Sequence, residues 1–81
     1  MSERAENLGR RVELRREAKR LTAECEALRD SLRRALPVVE DVAGLDREKI
    51  LSSAVALDQS LLELEGVRKK ITVLTRELGG V

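Results

Sequence analysis

The chain has 81 residues, of which 42% are hydrophobic and 38% are charged, and its net charge is +1. This balance excludes a disordered tail, which is less apolar, and a membrane span, which needs about 20 consecutive apolar residues. One cysteine excludes an internal disulfide, and the absence of histidine removes the usual general base. We therefore expect one cytoplasmic domain, not an enzyme, with no catalytic residue, cofactor or metal.

The apolar residues are almost all aliphatic. Phe, Tyr, Trp and His are absent, whereas 14 residues are leucine. Globular cores normally use aromatic side chains, because each ring buries a large area. A chain that keeps only Leu, Val, Ala and Ile is typical of long helices that meet along apolar seams.

The first half of the chain predicts one long helix. Its apolar residues are spaced alternately by four and three positions, as in a heptad repeat: Leu14, Ala18, Leu21, Cys25, Leu28, Leu32 and Ala35. Ala5, Leu8 and Val12 precede them one position out of phase, which predicts that the seam shifts near Val12. We expect the helix to run from about residue 3 to residue 36, because Pro37 lacks an N–H and disfavours helix before it.

The connection 37–45 contains clustered valines. Val38, Val39 and Val42 have the spacing of one short helical turn, which Gly44 would end. Two interpretations are open: the valines cap the end of the hairpin core, or they form an apolar tip that binds a partner, since clustered exposed apolar residues mark contact sites.

The second half predicts another long helix, from about residue 46 to residue 78. Asp46 has the position of an N-cap, and Leu45 and Ile50 have the spacing of a hydrophobic staple. Gly79 and Gly80 would end the helix. The expected seam is irregular beside Gly66 and consists of Ile50, Ala54, Leu57, Leu61, Leu64, Val67, Ile71, Leu74 and Leu78.

Together the elements predict an all-α fold, an antiparallel, coiled-coil-like helical hairpin that forms a single domain, 1–81. Four apolar residues beside the second seam widen it beyond what a helix pair buries: Leu51, Val55, Leu62 and Val73. We therefore expect a homodimer of hairpins, a four-helix bundle. The alternative is that this face binds a different helical protein.

Basic residues cluster in the first helix, at Arg10, Arg11, Arg15, Arg16, Lys19 and Arg20. The hairpin would bring Arg68, Lys69 and Lys70 alongside them. Such a belt could bind phosphates, through the candidate contacts Arg11, Arg15, Arg16, Lys19, Arg20, Lys69 and Lys70. The lack of aromatic side chains and the small net charge argue against nucleic acid. Solvated surface and the acidic face of another protein are the other interpretations.

The segment from Gly44 to Asp58 resembles the start of the second helix in the small aspartyl-phosphate phosphatases of sporulation phosphorelays. The Asp of their motif, which follows a Leu, corresponds to Asp58, whereas the position of their Ser is Ala54 here. The resemblance implies a short helical hairpin that docks on a phosphorylated receiver domain, with Asp58 and Gln59 at the acyl phosphate.

From the residues themselves we expect a protein–protein interaction module: a small adaptor, a chaperone, or an assembly or regulatory subunit. Its candidate contacts are the apolar side chains outside the seams, namely Val38, Val39, Val42, Leu51, Val55, Leu62 and Val73. Cys25 occupies a regular seam position, which predicts a small core residue rather than a nucleophile.

Overall fold

A computed structural model describes residues 3–39 and 41–79. It contains two α-helices, α1 (Glu3–Ala35) and α2 (Arg47–Glu77), joined by a turn with a 3-10 helix at Val42–Gly44. The two helices pack against each other, and at the open end the Arg4 guanidinium donates to the Leu78 carbonyl oxygen at 3.4 Å. The predicted all-helical hairpin is confirmed for these residues.

The helix ends follow the local sequence signals. The Asp46 carboxylate accepts the Lys49 N–H at 3.1 Å, so it caps α2 as predicted. Asp41 caps the 3-10 helix in the same way, through the Ala43 N–H at 3.1 Å. After α2 the chain turns at Gly79, whose φ of 83° favours glycine. The second glycine of the predicted stop, Gly80, lies outside the described residues.

The seam between the helices is centred on Leu21, which is completely buried. Around it, Cys25 from α1 and Leu64 and Val67 from α2 complete the buried cluster. Partly buried apolar residues extend the cluster at both ends: Leu14, Ala18, Leu57 and Ile71. Each step along α1 away from Leu21 is therefore matched by an equal step along α2 in the opposite chain direction, as in an antiparallel pair of helices.

The predicted seam of α2 is wrong at two positions. Ser53 and Ser60 are buried, whereas Leu61, expected in the seam, is 48% exposed. The buried line therefore keeps one alternation of three and four residues along α2, without the expected irregularity at Gly66. Continuity wins because one residue off this alternation would rotate the helix away from α1.

The predicted shift of the α1 seam is also wrong. Leu8 and Val12 are exposed, while Arg11 is only 8% exposed and Asn7 is half-buried. The alternation that runs from Leu14 to Ala35 thus continues to Asn7 through polar residues. The packed middle of the hairpin sets the phase of α1, and the residue types at its open end follow that phase.

The hairpin is a thin rod of 61 × 18 × 16 Å. Its radius of gyration is 18.1 Å, against about 12 Å for a compact domain of this length. The accessible surface is 6369 Å², against about 4,900 Å² for a compact monomer of 9.1 kDa. A seam one helix wide therefore leaves much of the chain's apolar surface in water.

Candidate protein–protein interface

The hairpin has two long edges, or flanks, where α1 and α2 meet. Thr22 and Arg29 of α1 line a groove with Leu61 of α2 on one flank. On the other flank, Arg10 lines a groove with Lys70 and Glu77. Because residues seven apart recur on the same side of a helix in such a seam, each groove assigns further residues to its own flank.

The first of these edges is the arginine flank. It consists of Leu8, Arg15, Thr22 and Arg29 from α1 and of Ala54, Leu61, Arg68 and Thr75 from α2, each a multiple of seven from a groove residue. Arg15 lies one repeat before Thr22 and Arg68 one repeat after Leu61, so the register of the seam places these two arginines at the same level of the flank. None of these eight positions is acidic.

Arg11 adds a third guanidinium at this level. It occupies the seam position next to the arginine flank, and its Nη1 is buried without a hydrogen-bond partner among the residues that the structure describes. A buried guanidinium N–H without an acceptor is costly, and like charges side by side repel. The three arginines therefore favour an acidic group between them.

The opposite edge is the mixed-charge flank, with Arg10, Glu17, Glu24 and Ser31 from α1 and Ala56, Glu63, Lys70 and Glu77 from α2. Arg10 and Glu77 line the same groove, and the same register sets Glu17 beside Lys70. Opposite charges thus adjoin at this end of the flank, and its four carboxylates keep it hydrated.

The outward surface of α2 carries an apolar stripe with one charge in it, the outer stripe: Leu51, Val55, Asp58 and Leu62. Leu51, Val55 and Leu62 are 65%, 47% and 60% exposed. Val73 was predicted to belong with them, but it lines the groove of Arg10 and Lys70 beside the mixed-charge flank. Val73 also lines a groove with Leu61 and Arg68, so it is displaced from the other three toward the mixed-charge flank but does not lie on the opposite side of α2.

The tip valines, Val38, Val39 and Val42, are 97%, 91% and 79% exposed. The interpretation that they cap the core is therefore wrong. The 3-10 helix is only three residues long and begins at Val42 rather than at Val38, so the turn is too short to fold these side chains back onto the helices. The other interpretation, an exposed apolar tip, agrees with their positions.

The predicted basic belt does not form one surface. Arg11 is buried, Arg20 is held by Glu17 and Glu24 at 3.7 and 3.3 Å, and Lys69 by Glu65 at 3.3 Å. Arg16 and Lys19 follow Arg15 by one and four residues, so Lys19 extends the arginine flank and Arg16 points away from it. Lys70 belongs to the mixed-charge flank.

Other candidate chemistry is sparse. Asp58 and Gln59 are exposed, and Ala54 lies half-buried beside them, so the residues matched to the phosphatase motif share one stretch of α2. Cys25 is buried in the seam, as expected. Within residues 3–39 and 41–79, no group of acidic or thiol side chains could hold a metal ion, and neither helix is apolar enough to cross a bilayer.

No family model matches the chain, and neither a curated protein nor a solved structure matches it at a significant level. The site is therefore interpreted from its own residues. Sequence reasoning missed Arg11 and Leu61: it placed Arg11 on the surface and Leu61 in the seam. The missed signal is the unbroken alternation of four and three residues from Asn7 to Ala35, which is visible only when residue type is ignored.

Proposed function

We propose that this chain is a non-enzymatic protein–protein interaction module that works as a dimeric four-helix bundle. One observation carries the proposal: the helix pair exposes more large apolar side chains than it buries. In the part of the chain that the structure describes, eleven large hydrophobic residues are exposed and seven apolar residues are buried. Large exposed apolar patches mark interaction surfaces.

The surface area favours a second hairpin as the covering partner. The chain exposes about 1,500 Å² more than a compact monomer of its mass. A standard interface buries about 800 Å² on each partner, so one further hairpin would cover a large share of the excess. Symmetric pairing of two copies is the commonest way in which soluble proteins do this.

The tip valines would remain uncovered in such a bundle and would bind the protein on which the module acts. They stand on the end of a rod only 18 × 16 Å wide, a convex shape that fits an apolar pocket. An adaptor, a chaperone or an assembly subunit would work in this way. A cytoplasmic location is part of the proposal and accords with a single cysteine that lies buried.

The two other candidate functions have less support. Phosphate binding along the basic belt would need Arg11, Arg16 and Arg20 on one face, whereas they lie on different sides of α1 or are paired with glutamates. A phosphatase-like role would need Asp58 free to reach a receiver domain, whereas here it stands between apolar neighbours that favour contact with another helix.

The experiment is sedimentation equilibrium of the full chain, followed by interference optics because the chain has no Tyr or Trp. We expect a mass about twice 9.1 kDa. Replacing both Leu51 and Leu62 by Lys should give monomers, because two charges would be desolvated in the interface. Val73→Thr, at a similarly exposed site outside the outer stripe, is the matched control and should stay dimeric.

A wild-type chain that remains monomeric at hundreds of micromolar would contradict the proposal, and so would a dimer that survives both lysines. Changing all three tip valines to serine should leave the dimer intact, since the tip lies outside the bundle contact. Loss of the dimer in that variant would show that the tips themselves hold the subunits together.

A further inference from the structure

We propose that the outer stripe of α2 docks into the arginine flank of a second copy, so that Asp58 lies between Arg15 and Arg68 of the partner subunit. The inference rests on the self-association proposed above and specifies its geometry. It needs two surfaces of different chemistry on one chain, and the hairpin carries both.

The residues of the outer stripe and those along the α1 edge of the arginine flank have the same spacing. Along the edge of the arginine flank, α1 presents Leu8, Val12, Arg15 and Lys19, all exposed and spaced by four, three and four residues. The outer stripe has the same spacing. If α2 lies parallel to α1 of the partner subunit, Leu51 meets Leu8 of the partner subunit, Val55 meets Val12 of the partner subunit, Asp58 meets Arg15 of the partner subunit, and Leu62 covers the stem of Lys19 of the partner subunit.

The match continues beyond the stripe with the correct charges. In the same register Lys69, which is paired with Glu65 on its own helix at 3.3 Å, also meets Glu26 of the partner subunit, so a second pair of opposite charges follows the first. Two apolar pairs and two ion pairs thus follow one alignment, with no shift between them. Knob-like side chains at this spacing are how helices in bundles interlock.

The charges of the two surfaces also favour this contact. The register of the seam places Arg15 level with Arg68, and Glu65, which lines a groove with Arg68, is paired with Lys69. Within the described residues, Arg11 leaves Nη1 buried without an acceptor close to this level. Asp58 is exposed and forms no ion pair within the described residues. A carboxylate that accepts several guanidinium N–H groups makes strong, charge-assisted hydrogen bonds. Docking would place the Asp58 carboxylate near the positive charge of Arg11 as well.

The arrangement relates the two hairpins by a two-fold axis. With α2 parallel to α1 of the partner subunit, the two α2 helices run antiparallel, and a two-fold axis crosses them near residue 63. Each contact then occurs twice, so the assembly closes as a dimer. Leu61, on the arginine flank, lies close to the axis, where both copies bury it. The two tips point in opposite directions, which leaves the tip valines free at both ends of the bundle.

A charge swap in the full chain tests this arrangement by sedimentation equilibrium. Arg15→Glu alone, or Asp58→Arg alone, should raise the dimer dissociation constant at least tenfold, because each puts like charges in contact. The double variant, with both changes, should dimerise more tightly than either single variant, because positions 15 and 58 again carry opposite charges, although the arginine at position 58 still meets Arg68 of the partner subunit. Arg16→Glu is the control: it is the next residue, equally exposed, and lies outside the flank.

Three results would overturn the arrangement. Single variants that dimerise like the wild type, or a double variant in which the two losses simply add, would show that these residues do not meet, while the dimer itself would still support the proposed function. A monomeric wild type would overturn both, and would leave the arginine flank for an acidic helix of another protein. Far-UV circular dichroism checks that each variant retains its helices.

A cross-link gives an answer even where a charge variant fails to fold. In a Cys25→Ala background, cysteines introduced at Leu8 and Leu51 should form a disulfide between subunits under mild oxidation. Within one hairpin these positions are about 39 Å apart along the rod at 1.5 Å per residue, so they cannot join internally. Cysteines at Gly9 and Leu51 are the control pair, since Gly9 faces away. Absence of the covalent dimer for Leu8 and Leu51 would overturn the register.

Discussion

The two flanks of the hairpin are built on the same pair of helices, yet they differ in what they leave unsatisfied. On the mixed-charge flank, Arg10 lies in one groove with Glu77, and Arg10 and Lys70 stand among four glutamates, so every basic residue there has acidic neighbours. On the arginine flank, Arg15 lies level with Arg68, and the neighbouring Arg11 has a buried nitrogen without an acceptor among the described residues. Opposite charges of the same chain thus adjoin on the mixed-charge flank, whereas the arginine flank keeps an excess of positive charge that a partner can neutralise.

The difference shows why counting charges misleads here. The chain is nearly neutral, with 16 basic and 15 acidic residues, which argues for a solvated surface. Seen by flank, the acids concentrate on one side and the arginines on the other. Recognition depends on the local field, and a neutral chain can carry a strongly basic groove.

The largest expected effect is that of reversing a charge on the arginine flank, and the matched comparison is a reversal on the mixed-charge flank. Arg68→Glu should raise the dimer dissociation constant about 100-fold, because it brings a second carboxylate to Asp58 of the partner subunit. Lys70→Glu, two residues away on the mixed-charge flank, should change it less than threefold. Sedimentation equilibrium at fixed salt measures both, and equal effects would remove the distinction between the flanks.

A second variant should separate folding from assembly. Arg11→Leu removes the buried nitrogen that lacks an acceptor and should stabilise the isolated hairpin by about 1–2 kcal/mol. The same change should weaken the dimer, since it removes a positive charge near Asp58 of the partner subunit. Urea denaturation at low concentration and sedimentation at high concentration report the two effects. A variant less stable than the wild type would mean that Arg11 has an acceptor in the hairpin.

The smallest expected effect is that of a substitution outside the proposed interface. Gly66 lies inside α2 with open space around the position of an added Cβ, so Gly66→Ala should stabilise the helix by about 0.5–1 kcal/mol. It lies outside both the outer stripe and the arginine flank, so the association per folded chain should not change. The thermal midpoint measures the first effect and sedimentation the second. Weaker association would extend the interface to the far side of α2.

Much of the fold was predictable because it depends on local signals. Pro37 and Asp46 place the helix ends through backbone chemistry that needs no partner, and Leu21 falls in a repeat that stays regular over many turns. The exchange of Leu61 for Ser60 was not predictable from hydrophobicity. A leucine next to a serine normally takes the buried place, and only the phase imposed by α1 reverses this.

The candidate interface divides in the same way. Leu51, Val55 and Leu62 were recognised because they exceed what one seam needs, a count that the sequence alone permits. Val73 was grouped with them by composition and is displaced from them toward the mixed-charge flank, since angular position depends on the seam that tertiary packing selects. The role of Asp58 follows only once its neighbours on the outward surface are known.

By itself, the sequence determined that this protein consists of two long helices, where they begin and end, and that they carry apolar surface in excess of one seam. Capping, proline geometry and heptad spacing are properties of a single chain segment. Only the tertiary structure decided which residues face inward: it buried Arg11 and exposed Leu61 and the tip valines, and the register of its seam places Arg15 level with Arg68. The physical reason is that each helix has a single rotation about its own axis, which the packing of the whole seam determines. This rotation then fixes the direction in which every residue outside the core points.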